Sequence, residues 1–232
     1  MKRLSIVLLT LFLGTQALGQ SFIAKAYCRV LGNNDVRQEY ADLVHQALRD
    51  FDVNNAELVY VKKANSVGSV LALMPVSSFT ACGIWLDEDY LDQCSSSEVL
   101  FQIYHEAAHY AQHHHAKLLA TALGITGVIA SGFAYGNKIL REKNYSHPLV
   151  TTAAAGTLLL AAAYVGILPN IVKRQERRAD IEAAKKLYAI GREDVVAVHK
   201  QNLRRNSSEA GNLWWFSSKE QADYLDDVIG KS

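Results

Sequence analysis

The sequence predicts a helix-dominated α+β protein with a small sheet and an apolar helical hairpin, on three observations. Ser95-Ser96-Ser97-Glu98 opens a segment with helical apolar spacing, short β-patterned runs precede it, and two uncharged apolar stretches follow it. Half of the 232 residues are hydrophobic (50%), enough to bury a sizeable core. Three prolines, no low-complexity linker and no internal repeat make residues 20–232 read as one domain, interrupted by the hairpin over residues 118–168. A net charge of +1 gives no electrostatic reason to expect a nucleic-acid partner.

The chain opens with Lys2-Arg3, an apolar run from Leu4 to Leu13 and small residues up to Gly19. That order of charge, apolar stretch and small residues predicts a signal peptide or signal anchor over residues 1–19. With its positive end in the cytoplasm, the following domain is expected outside the cytosol, periplasmic or secreted. Asp35 to Asp50 then has helical spacing at Tyr40, Leu43, Val44 and Leu48, while Glu57 to Val61 and Ser69 to Leu73 read as strands. Cys82 and Cys94 are placed to form a disulfide in an oxidising compartment, leaving Cys28 over, and three reduced thiols are the alternative.

Ser95 and Glu98 fit a capping box, in which hydroxyl and carboxylate each accept from the other's amide, so a helix should begin near Ser96. Val99, Leu100, Ile103 and Ala107 give it a face to bury. On it stands His105-Glu106-Ala107-Ala108-His109. Residues four apart share a helix face, so the two imidazoles are placed to hold one ion, and Glu106 at the edge is placed to take a proton from an activated water. His113-His114-His115 point in three directions and read as solvated surface rather than further ligands.

Leu118 to Gly136 and Leu149 to Leu168 lack charge, and each approaches the length that crosses a hydrocarbon layer of about 30 Å. They predict a membrane hairpin or, alternatively, a buried hairpin of a soluble protein. Gly124, Gly127, Gly132 and Gly156 are expected to let the helices approach closely. If the flanking helices continue, His109 stands about 13 Å before the first stretch and Glu176 about 12 Å beyond the second, so both lie on one side.

Catalytic zinc usually takes three protein ligands, which requires one beyond the histidines. Glu176-Arg177-Arg178-Ala179-Asp180 supplies a candidate on a segment that reads helical through Leu187, with Glu176 as ligand and Asp180 orienting a ligand histidine from outside. An exposed charged helix face fits the same string. Ser217-Ser218-Lys219-Glu220 predicts another capped helix with Tyr224, Leu225 and Val228 inward, and Trp214-Trp215-Phe216 reads as a packing cluster or an interfacial anchor.

The two motifs in this order resemble the gluzincin group that contains HtpX, the BepA-type periplasmic proteases, the Oma-type mitochondrial proteases and the CAAX prenyl endopeptidases. The resemblance covers roughly residues 57 to 190. It implies a zincin-like fold, one zinc ion, and an endopeptidase acting on polypeptides, in membrane-associated quality control. It also implies that Phe79, Thr80, Ala81 and Cys82, in a short edge strand before Gly83-Ile84-Trp85-Leu86, bind extended substrate by backbone pairing. One departure stands out: such relatives carry a His-Pro stretch after the ligand helix that helps stabilise the tetrahedral intermediate, and none follows Asp180. His199, Tyr188 and Tyr224 are the alternative donors. The missing stretch also motivates a second reading, a zinc-binding chaperone or interaction protein of the same fold that cleaves nothing. In a third, both motifs are accidents of a membrane scaffold.

Overall fold

A computed structural model describes residues 34–64, 77–79, 83–206, 211 and 215–229. The segment 1–19, the Ser69 to Leu73 strand, Thr80 to Cys82 with the Cys82–Cys94 bridge, Cys28 and Trp214 lie outside the described residues. The chain divides into two compact units, one from residues 1–112 and 182–199, the other from 113–181 and 200–232.

The first unit begins with α1 (Gln38–Asp50), which buries Tyr40, Val44, Ala47 and Leu48 along one stripe. Its predicted first turn is instead extended, with Asp35 bridged to Lys62. Part of the predicted Glu57 to Val61 strand is a single 3₁₀ turn, Ala56–Leu58, and pairing starts at Tyr60. The sheet has β1 (Tyr60–Lys63), β2 (Ser77–Phe79) and β3 (Gly83–Leu86) in the order β1-β3-β2. β3 runs parallel to β1 and antiparallel to β2. Being central it is buried along its whole length, which accounts for an apolar run without alternation.

Gly83 faces Tyr60 across the β1–β3 pairing, and a Cβ built there would stand 2.5 Å from the Tyr60 carbonyl oxygen. Backbone cannot swing aside as a side chain can. Gly83→Ala is therefore expected to destabilise the protein by about 1–3 kcal/mol, read as a lowered thermal midpoint; an unchanged midpoint would mean that the strands part without loss.

A short helix, α2 (Glu88–Leu91), leads into α3 (Ser96–Ala111). The capping box forms as predicted: Ser95 Oγ accepts from the Glu98 amide at 3.3 Å and Glu98 Oε2 from the Ser95 amide at 3.0 Å. Val99, Phe101, Ile103, Tyr104, Ala107 and Ala108 are buried. The Tyr104 hydroxyl donates to Asp50 at the end of α1, and burial followed by that carboxylate pushes its pKa well up. Ala183, Ala184, Leu187, Val195 and Val196 are also buried in this unit.

The second unit contains the hairpin, α4 (His114–Glu142) and α5 (Pro148–Gly166). Pro148 occupies the first turn of α5, where its missing N–H costs no hydrogen bond. α3 does not run on into the hairpin. His113, with φ +55°, is left-handed and ends it, so the height reckoned for His109 along an unbroken helix does not hold. α6 (Leu168–Ala189) follows a single non-helical residue, Ile167; Pro169 has no amide to donate, and the Asn170 side chain caps the Gly166 carbonyl at 2.7 Å. α6 starts in this unit and ends in the first.

α4 and α5 are long and apolar enough to cross a membrane. Many of their apolar side chains are exposed: Leu123, Val128, Leu158 and Leu159 are more than 60% exposed. Hydroxyls on the hairpin satisfy themselves inside it, Thr121, Thr126, Ser131 and Thr157 each donating to the carbonyl four residues back at 2.8–2.9 Å. Of the glycines expected at the helix contact, only Gly156 meets the partner helix, beside Phe133 and Ile129; Gly124, Gly127 and Gly132 face open space. Gly136, against Thr152, is a contact that was not anticipated. Helical rotation sets this, since one rotation cannot turn every glycine of α4 toward a single neighbour.

α7 (Glu193–Arg205) and α8 (Ser218–Ile229) finish the chain. Lys200 and Arg204 near the end of α7 both pair with Asp226 of α8. The predicted capping box of α8 is present, Glu220 Oε2 accepting from the Ser217 amide at 2.8 Å and Ser217 Oγ from the Glu220 amide at 3.2 Å.

Candidate metal centre

α3 carries His105, Glu106 and His109 on the helix that the capping box starts. His109 is 1% exposed and Glu106 6%, while His105 is half-buried. The Nε2 atoms of the two histidines stand 3.0 Å apart, with ring centroids at 4.6 Å and planes inclined by 64°. Two nitrogens bound to one tetrahedral zinc at about 2.0–2.1 Å would be separated by about 3.3 Å, so the pair fits a shared ion with a small adjustment. Ligation through Nε2 would leave the proton on Nδ1 of each ring, for a carboxylate or carbonyl to hold.

The second motif lies on α6. Glu176 is half-buried, and one turn later Ala179 and Asp180 are buried, whereas Arg174, Arg177 and Arg178 are exposed. A uniformly solvated charged face would not bury its aspartate. Next to Glu176, the Gln175 amide donates to the main-chain carbonyl of His114 at 3.3 Å, which ties this helix to the start of α4. His114 itself is 1% exposed, so the His113-His114-His115 run is not all surface: His113 is exposed, and the rotation that exposes it turns the next side chain inward.

The three alternative donors have distinct surroundings. The Tyr224 hydroxyl donates to Asp180, so its one proton is committed there. Burial first, then the Asp180 charge, pushes its pKa far above the usual phenol range. The His199 ring stacks flat on Phe101, four residues before His105, with centroids 3.7 Å apart. Tyr188 is half-buried on α6. Phe216 of the aromatic run packs edge-on to Tyr224 at 5.7 Å, a packing role.

Phe79 is the last residue of β2 and pairs with Ile84; Thr80, Ala81 and Cys82 lie outside the described residues. Sequence reasoning did not find the Gln175 contact or the Tyr224–Asp180 bond. For the second a signal existed, an inward tyrosine on a capped helix, but nothing in the spacing named its partner.

The match of a family model supplies independent information. The model of peptidase family M48 matches residues 43–214, which contain both motifs. No curated protein and no solved structure matches the chain. The matched segment is well over half of the 232 residues, and the chain belongs to peptidase family M48, a family of zinc metallopeptidases.

Proposed function

We propose that the protein is a zinc endopeptidase that cleaves polypeptides outside the cytosol, held at a membrane by its hairpin. The observation that carries this reading is the pair of Nε2 atoms 3.0 Å apart on α3, with the buried Glu106 beside them, in a chain of this family. Glu176 is the proposed third ligand. Two imidazoles and a carboxylate are a donor set that suits zinc and a group that could hold a metal ion. The contact of Gln175 with the His114 carbonyl, five residues past His109, favours the assignment.

When bound, zinc supplies Lewis-acid polarisation of the scissile carbonyl and makes water acidic near neutrality. The remaining work falls to side chains of the chain. Glu106 accepts the proton of the attacking water and hands it to the departing amine nitrogen. Asp180 holds the Nδ1–H of a ligand histidine and keeps the ring turned toward the ion. An extended substrate pairs with the edge strand at Phe79, Thr80, Ala81 and Cys82. The exposed apolar faces of α4 and α5, with their self-satisfied hydroxyls, suit lipid, so a membrane-associated polypeptide in protein quality control is the proposed substrate class.

The test is digestion of an unfolded polypeptide by the purified protein. Cleavage is expected to vanish on dialysis against a chelator and to return with zinc; cleavage that persists in the metal-free protein overturns the reading. The hairpin is tested separately by alkaline carbonate extraction, in which the protein should stay with the membrane pellet. Release into the supernatant counts against a spanning hairpin.

A further inference from the structure

Tyr224 has no place in the chemistry proposed above, yet its hydroxyl ends on one of the residues that does. It projects from α8, the last helix, and donates to Oδ2 of Asp180 on α6. Tyrosine and aspartate are each only 6% exposed. The phenol is held on several sides: Phe216 meets its ring edge-on at 5.7 Å, and the Arg177 guanidinium lies over it at 5.2 Å. α8 is itself fixed at its start by the Ser217–Glu220 capping box and along its length by Lys200 and Arg204 on Asp226. Asp180 is buried, so its carboxylate needs a donor, and the one it has is held in place from several sides.

A buried carboxylate that orients a ligand can do so only if it does not rotate. A firmly held donor on one oxygen prevents that rotation and keeps the carboxylate turned toward the imidazole it supports. We infer that Tyr224 is a positioning residue for the metal centre, fixing Asp180 through its hydroxyl so that Asp180 holds a ligand histidine toward zinc. This rests on the ligand set proposed above. It makes the C-terminal helix part of the metal centre without contributing a ligand.

The experiment measures zinc affinity by competition with a chromophoric chelator in the full-length protein, for Tyr224→Phe, Asp180→Asn and the double variant. Tyr224→Phe keeps the ring and removes one oxygen, and zinc should bind about 10- to 100-fold more weakly. Because the tyrosine acts through the aspartate, the double variant should bind no more weakly than Asp180→Asn alone. Unchanged affinity in Tyr224→Phe, or losses that simply add in the double variant, overturns the inference while leaving the ligand set standing. A purely structural tyrosine would lower the melting temperature and leave zinc affinity where it was. If Tyr224→Phe does not fold, the double variant decides: it should fold as well as Asp180→Asn, because the buried charge that the hydroxyl serves is then gone. A double variant that fails to fold where Asp180→Asn folds overturns the coupling. Wild-type protein that binds no zinc removes the ligand set, and this inference with it.

Discussion

Glu106→Gln is expected to reduce polypeptide cleavage about 10²- to 10⁴-fold while leaving one zinc ion per chain, the range that general acid–base catalysis supplies. Glutamine has nearly the shape of glutamate and retains an acceptor oxygen, so the buried position next to His105 is filled and α3 is undisturbed. What it cannot do at neutral pH is take a proton from water and release it to an amine. A factor of 10² to 10⁴ corresponds to about 2.7–5.5 kcal/mol of barrier, too large for a change in packing at one isosteric side chain. Initial rates on an unfolded polypeptide, with zinc measured in the same preparation, give the answer. Retained zinc with undiminished cleavage would remove Glu106 from the mechanism; retained zinc, no cleavage by the wild type and unchanged biological function would favour the binding protein.

His109→Ala is expected to remove the metal itself, with zinc affinity falling on the order of 100-fold or more and cleavage falling with it. The loss of a direct ligand should exceed the 10- to 100-fold typical of an outer partner. His109 is the more buried of the two imidazoles and is the last buried residue of α3, after Ala107 and Ala108 and just before the helix ends at Ala111. Its replacement opens a space about the size of a ring, so some stability is lost as well. His113→Ala is the control, because that side chain is exposed and leaves the helix in the left-handed turn. Elemental analysis should find zinc in His113→Ala and little in His109→Ala. Full zinc content in His109→Ala means that the ion, if any, is held elsewhere.

Much of the local structure was legible because it depends on neighbours in sequence. Ser95 with Glu98, and Ser217 with Glu220, form their reciprocal hydrogen bonds within three residues, so spacing alone located two helix starts. The His105–His109 pair was equally legible, since four residues of helix place two imidazoles side by side wherever the helix goes. The first strand was less so. Glu57 and Leu58 have strand-like composition but lie in a 3₁₀ turn, because pairing with β3 begins only where Tyr60 meets Gly83. The histidine run misled in a different manner. Three adjacent polar residues suggested solvent, yet the left-handed turn at His113 precedes a buried His114, and that rotation depends on the backbone conformation of one residue.

The sequence by itself determined the helix caps, the imidazole pair, the two apolar helices and membership of a metallopeptidase family, since each is encoded by residue type at short or fixed spacing. Only the tertiary structure decided that Asp180 is buried rather than part of a solvated face, that Tyr224 is its donor, and that Gly156 rather than Gly124 meets the partner helix. The physical reason is range. A cap or a four-residue pair is fixed by the geometry of one helix, whereas a hydrogen bond between residues 44 apart in the chain depends on how two helices are rotated and docked, which no local pattern specifies.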